Sequence, residues 1–265
     1  MTIADFSGLS KNGPEKSLVH GKKRISGRDG KGRVSVRHRG GGHKRLLRDV
    51  DFKQMGKLGV PAVVQSIEYD PNRSARIALV YYIDGTKKYL LAPEGLKEGD
   101  QVVAGNRTKV KVGNRMELQH IPVGYHIYNV EMHVGRGGQI VRSAGTSATL
   151  IGFDEPYALL QLPSSEIRKV RKECFASIGV VSNGEHSLIN WGKAGRMRWR
   201  GRRPTVLGKS MNAVDHPHGG GEGHSPIGLK HPKTPWGKPA LGVKTRRKRK
   251  SSTLIIRRRT RKKKK

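Results

Sequence analysis

Apolar and polar residues alternate at short range in the middle of this chain and almost nowhere else. In Arg73 to Pro93, the residues Ile77, Leu79, Tyr81 and Ile83 fall on one side of a period-two pattern. The pattern ends at Asp84-Gly85, a pair favoured in tight turns, and so predicts a β-hairpin. Upstream, Val60 to Asn72 predicts a strand that closes on the turn Tyr69-Asp70-Pro71-Asn72. Downstream, Glu94 to Asn106 and His120 to Met132 alternate short β-rich runs with glycine turns. A second series, Ser147 to Val181, is interrupted at Asp154-Glu155-Pro156 and at Pro163-Ser164-Ser165. No long three-to-four-residue period occurs. The 147 residues from Asp49 to Gly195 therefore predict an all-β region of two small barrels joined near Met116 to Gly124, each closing its own sheet edges.

On either side of this region the pattern disappears and charge replaces it. The 265 residues hold 54 Lys and Arg against 20 Asp and Glu, a net charge of +34. Met1 to Arg48 carries +10, Asp49 to Gly195 carries +3, and Arg196 to Lys265 carries +21. Two cationic arms thus flank a nearly neutral middle, which implies a polyanionic partner. The arms hold few aromatic residues, Phe6 in the first and Trp199 and Trp236 in the second. Internal packing cannot repay an ordering cost of roughly 1–2 kcal/mol per residue, so the arms alone are expected to be disordered. A single cysteine, Cys174, excludes a disulfide framework and a Cys-rich zinc module. No apolar run approaches the ~20 residues of a membrane span, and the first ten residues lack a secretory layout. The expectation is a reduced intracellular compartment, without a membrane.

The stretch Leu207 to Gly223, LGKSMNAVDHPHGGGEG, gathers the candidate chemistry. A phosphate loop would need glycine where Arg203 stands, and an apolar strand before it. Asp215, His216, His218, Glu222 and His224 could ligate a metal, but a glycine-rich arm offers no scaffold to orient them. His216 as a general acid or base would need an orienting partner and a dry pocket, and neither is visible. The favoured reading is a backbone that comes very close to another surface. Gly219, Gly220, Gly221 and Gly223 carry no side chain, and imidazoles and amides beside them can bond phosphates, sugars or base edges. A matching triplet, Gly40, Gly41 and Gly42, lies between Arg37, His38, Arg39 and His43, Lys44, Arg45. The runs Arg246 to Lys250 and Arg257 to Lys265 read as a solvated tail or an import signal, but neither reading accounts for two glycine triplets. Such Arg/Gly strips suit RNA.

These residues resemble a known family. Arg203-Pro204-Thr205-Val206, Met211-Asn212 and Val214 to Gly223 are similar to the signature of the large-subunit ribosomal protein two family, of bacterial or organellar type. So, in order, are RHRGGGHKR (Arg37 to Arg45), EYDPNRSA (Glu68 to Ala75), GRGGQIVRSAG (Gly135 to Gly145), GKAGRMRWRGRRPTV (Gly192 to Val206) and KTPWGKPALG (Lys233 to Gly242). Leu207, Lys209, Ser210 and Ala213 depart from that pattern, and the stretch before Gly27 matches poorly. The resemblance implies an OB-fold barrel (49–117) followed by an SH3-like barrel (118–195), with basic extensions at 1–48 and 196–265. It implies a structural, non-enzymatic constituent of the large ribosomal subunit. Its partners would be large-subunit rRNA near the peptidyl transferase region, neighbouring ribosomal proteins, and the small subunit across the interface. His216 would be a supporting residue beside an RNA active centre. No cofactor, metal or small-molecule substrate is expected, although Mg or K ions of the rRNA would lie nearby. The lack of an organelle presequence favours bacterial cytoplasm over a plastid.

The residues expected to meet RNA are Arg37, His38, Arg39, His43, Lys44 and Arg45 in the first arm. In the second they are Arg196, Trp199, Arg200, Arg202, Arg203, Asn212, His216 and His218. Arg73, Arg136, Arg142 and Lys193 read equally well as RNA contacts or as solvated charges. Two rivals remain: a metal-assisted nuclease or transferase using Asp215, His216, His218 and Glu222, and a free nucleic-acid-compacting protein.

Overall fold

A computed structural model describes residues 4–246 and 250–259. The basic runs Arg246 to Lys250 and Arg257 to Lys265 therefore lie partly outside the described residues. The chain divides into two units. One comprises Met1–Lys22, Lys44–Asn190 and Lys250–Lys265, the other Lys23–His43 and Trp191–Arg249.

The first unit holds every hydrophobic core cluster among the described residues. Strands β1 (Val19–Gly21) and β2 (Leu46–Arg48) form a short antiparallel pair. Next come β3 (Pro61–Glu68), β4 (Ile77–Tyr82), β5 (Lys87–Leu91) and β6 (Gln101–Val103), in the sheet order β5-β4-β3-β6. The turn at Asp84-Gly85 forms as the pattern predicts. Tyr82 donates to the Thr86 carbonyl at 3.0 Å, and Gly85 takes φ +80°.

One detail of the period-two reading is corrected. Ile83 is 79% exposed at the turn rather than buried, and β4 is covered on both faces. Ala78 and Val80 pack with Ala62, Val64 and Val102, while Ile77 and Leu79 pack with Val50, Tyr89, Leu18 and Phe52. The second covering layer comes from residues preceding β3, which a period along β4 cannot report.

The second barrel is built from β7 (Arg115–Glu117), β8 (His126–Tyr128), β9 (Val130–Glu131), β10 (Gly138–Ile140), β11 (Ala148–Asp154), β12 (Tyr157–Gln161), β13 (Ile167–Arg171) and β14 (Phe175–Ile178). A last strand, β15 (Ile255–Arg257), pairs with β13, giving the order β15-β13-β12-β11-β8-β14-β7. β9 and β10 pair separately. Both interruptions read in the sequence lie at hairpin turns, between β11 and β12 and between β12 and β13. Leu150, Leu160, Ile127 and Met116 are fully buried in the core. Truncating one such side chain to alanine costs about 2–5 kcal/mol. Arg115 and Glu131 form a fully buried ion pair at 3.2 Å, and Arg115 also donates to the Asn129 carbonyl at 2.7 Å.

The fold class is all-β, an OB-fold barrel followed by an SH3-like barrel. Among the described residues the only α-helix is α1 (Ala194–Trp199), and no helix is long and apolar enough to cross a membrane.

Candidate nucleic-acid interface

The second unit carries 22 Lys and Arg against three acids. Among its described residues only Gly27 and His216 are buried. Its described residues have a defined path but no apolar core, so backbone hydrogen bonds and cation–ring contacts hold them.

The path starts at α1, a short helix in which Ala194, Arg196, Met197 and Arg198 are good helix formers. Gly201 ends the helix at φ +82°, a left-handed cap in which its N–H reaches the Arg198 carbonyl at 2.9 Å and that of Arg202 reaches the Met197 carbonyl at 3.1 Å. This cap turns Arg202 and Arg203 alongside the first arm. Arg39 and Arg202 form an antiparallel bridge. Gly40 donates to the Gly201 carbonyl at 3.0 Å, His43 to that of Trp199 at 2.8 Å, and Arg203 to that of His38 at 3.1 Å. The two arms, separated in sequence by both barrels, are thus paired with each other. Gly42 is where they press hardest, because a Cβ there would lie 2.9 Å from the Gly201 backbone.

Cations on this pairing sit over aromatic faces. The Arg37 guanidinium lies 5.2 Å from the Trp236 ring centroid, that of Arg200 4.1 Å from Trp191, and the Lys193 ammonium 5.6 Å from Trp199. Trp199 and Trp236 remain exposed. Arg196 is on α1, and its carbonyl accepts from the Arg200 N–H at 3.3 Å. His43 and Lys44 are exposed on the first arm.

The loop of histidines is folded upon itself. The His216 imidazole packs flat on Gly208, where a Cβ would meet ring atoms at 2.5–2.7 Å. Its Nδ1 accepts the His218 N–H at 3.0 Å, and His218 Nε2 accepts the Lys233 N–H at 2.8 Å. Each ring therefore spends an unprotonated nitrogen on backbone. Gly219 is pressed against the chain itself, since a Cβ would lie 2.2 Å from the Asn212 carbonyl oxygen. That carbonyl already accepts from Asp215 and His216. Gly220, Gly221 and Gly223 all take positive φ. Among the described residues no group of three or more His, Cys, Asp or Glu side chains is arranged to hold a metal ion.

Other candidates lie in the first unit. Arg73 and Arg142 both stand over Phe52, at 5.3 and 4.4 Å from its centroid. Asp70, fully buried, pairs with Arg73 at 2.6 Å, and Arg45 donates to the Pro71 carbonyl at 2.8 Å in the same turn. Burial, and then the neighbouring charge of Arg73, hold the Arg142 guanidinium below its usual pKa. Arg136 stands apart and exposed, between β9 and β10.

The sequence reading did not place Phe52, Trp191, Trp236, Arg28, Val34 or Val36 among the RNA contacts. For Trp191 and Trp236 a signal existed: indoles among basic residues, with little else to pack against. Phe52 carried none, because its guanidinium partners lie on distant segments.

Two family models match the chain. Ribosomal Proteins L2, RNA binding N-terminal domain, covers residues 15–104, and Ribosomal Proteins L2, C-terminal domain, covers residues 111–237. Together they span both barrels, the paired arms and the histidine loop.

Proposed function

The chain belongs to the ribosomal protein L2 family, a family of structural components of the large ribosomal subunit, and from that premise we propose that it works by having its coreless basic unit shaped against large-subunit rRNA. The observation that carries this reading is the second unit itself, with 22 cationic side chains, three acids and, among its described residues, almost nothing buried. A polypeptide segment of that kind repels itself until a polyanion surrounds it. RNA supplies closely spaced phosphates for the arginines and unstacked bases for the exposed indoles.

In this reading the two barrels are the folded platform and the paired arms enter the RNA near the peptidyl transferase region, supporting its assembly. The protein also contacts the small subunit across the interface. The bond-making chemistry stays with the RNA. His216 serves as a structural ring, because its Nδ1 is occupied by the His218 amide and its face by Gly208. The RNA-contacting residues are those of the two arms named above, with Arg73, Arg136 and Arg142 on the first unit.

Sucrose-gradient fractionation of a lysate, with and without ribonuclease, tests the proposal. The protein should travel with large subunits in moderate salt and leave that position after ribonuclease. Finding it only at the top of the untreated gradient would defeat the proposal. Binding to isolated large-subunit RNA should also fall steeply with salt, with a log–log slope of roughly −0.7 to −0.9 per phosphate neutralised.

A further inference from the structure

Within the second unit, residues between Ser26 and Gly40, together with Arg203, line an open cavity of about 670 Å³. That volume lies in the range of small-ligand pockets and is far more than one phosphate fills. Its wall offers three different chemistries. Arg28, Arg37, Arg39 and Arg203 contribute to the wall, and among the described residues no Asp or Glu lines it. Val34 and Val36 supply an apolar surface, left 56% and 53% exposed. The third group is His38, held at φ +60°, an uncommon conformation for a residue with a side chain.

The hydrogen bond of His38 fixes what its ring can recognise. Nδ1 lies 2.9 Å from the Pro204 carbonyl oxygen. A carbonyl only accepts, so Nδ1 carries the hydrogen, and Nε2 of the neutral ring is left as an acceptor. A bare phosphate would satisfy the arginines, yet it has no hydrogen for Nε2 and no apolar face for the valines. A paired nucleotide has its donors occupied by its partner strand. An unpaired nucleotide meets all three demands, through its phosphate, the flat face of its base and the N–H groups of its Watson–Crick edge. At the rim, Arg37 lies over the exposed Trp236 ring, a second plane on which a base can stack.

We propose that this cavity holds one unpaired nucleotide of an RNA strand, its phosphate on the arginines, its base against Val34 and Val36, and its Watson–Crick edge on His38. The proposal rests on the RNA-binding reading given above and sharpens it from general charge neutralisation to capture of an extruded base.

The test uses the full-length protein and two RNA hairpins of one stem sequence, one fully paired and one with a single-nucleotide bulge of 2-aminopurine. The bulged hairpin should bind about tenfold more tightly, a ratio of the size that small changes in an apolar pocket produce, and its fluorescence should change on binding. Val34→Ala/Val36→Ala should abolish that preference while leaving affinity for the paired hairpin unchanged. Both valines are exposed, so the fold does not depend on them. His38→Asn, which tolerates the same backbone conformation, should also abolish the preference for the bulged hairpin. Equal, salt-sensitive binding of both hairpins by the unaltered protein would overturn the cavity proposal but leave the RNA-binding function standing. A preference that survives both variants would also overturn the proposal. Loss of the function itself would show differently, as no salt-sensitive binding to either hairpin.

Discussion

Replacing Gly42 with alanine tests whether the pairing of the two arms is what presents them to RNA. Gly42 does not need a left-handed backbone, so alanine is not opposed by conformation. It is opposed by space. The new Cβ would lie 2.9 Å from both Cα and N of Gly201 and 3.3 Å from the Trp199 carbonyl oxygen. Carbon atoms prefer about 3.5–4.0 Å, and here the obstacle is backbone with no flexible side chain to yield. The strands must therefore separate by roughly 0.6–1 Å, which loosens the flanking bonds from Gly40 to Gly201, His43 to Trp199 and Arg203 to His38. Overpacking of this kind costs about 1–3 kcal/mol. If the pairing is intact in the bound state, that cost appears as about 5- to 150-fold weaker RNA binding. The assay is a titration of large-subunit RNA at fixed salt by filter retention, with Gly30→Ala as the control, because a Cβ at Gly30 meets nothing within 4 Å. Equal affinities for the two variants, within about twofold, would refute the reasoning and show that RNA shapes each arm separately.

The remaining predictions concern the barrels and the histidine loop. Arg115→Met should cost about 3–5 kcal/mol in urea unfolding, because it leaves the fully buried Glu131 without its cation. Adding Glu131→Gln should recover part of that loss, since an amide oxygen can still accept the Gly137 N–H, bonded at 2.9 Å, without a buried charge; no recovery would argue against an electrostatic origin. Burial pushes the Glu68 carboxyl up, so its ionised form weakens the fold at neutral pH. Glu68→Gln should therefore be more stable than the native chain at pH 7. That advantage should shrink as pH falls through the raised folded value towards the ordinary 4.5, and an advantage that grows with acid would contradict the assignment. His216→Ala removes the acceptor of the His218 N–H and the ring that covers Gly208, a loss of about 1–3 kcal/mol in local order. Trypsin should cut faster after Lys209, and an unchanged rate would count against the structural role of that ring.

The β-hairpin at Ile77 to Leu91, the turn at Asp70 and the interruptions of the second barrel could be read directly from the chain, because alternation and turn chemistry are local properties. The charge split between arms and middle was equally plain, as was the need for glycine at two triplets. What faces those glycines was not legible. Gly42 backs onto Gly201, and Gly219 onto the Asn212 carbonyl, so in both places the close neighbour is this chain's own backbone. Nor could spacing reveal that Arg73 and Arg142 share the Phe52 ring, that Arg115 is paired with Glu131, or that β4 is covered on both faces. Periodicity and composition state which surfaces a segment must hide or leave in water. Which distant segment does the hiding depends on where the barrels carry the chain, and only the folded arrangement decides that.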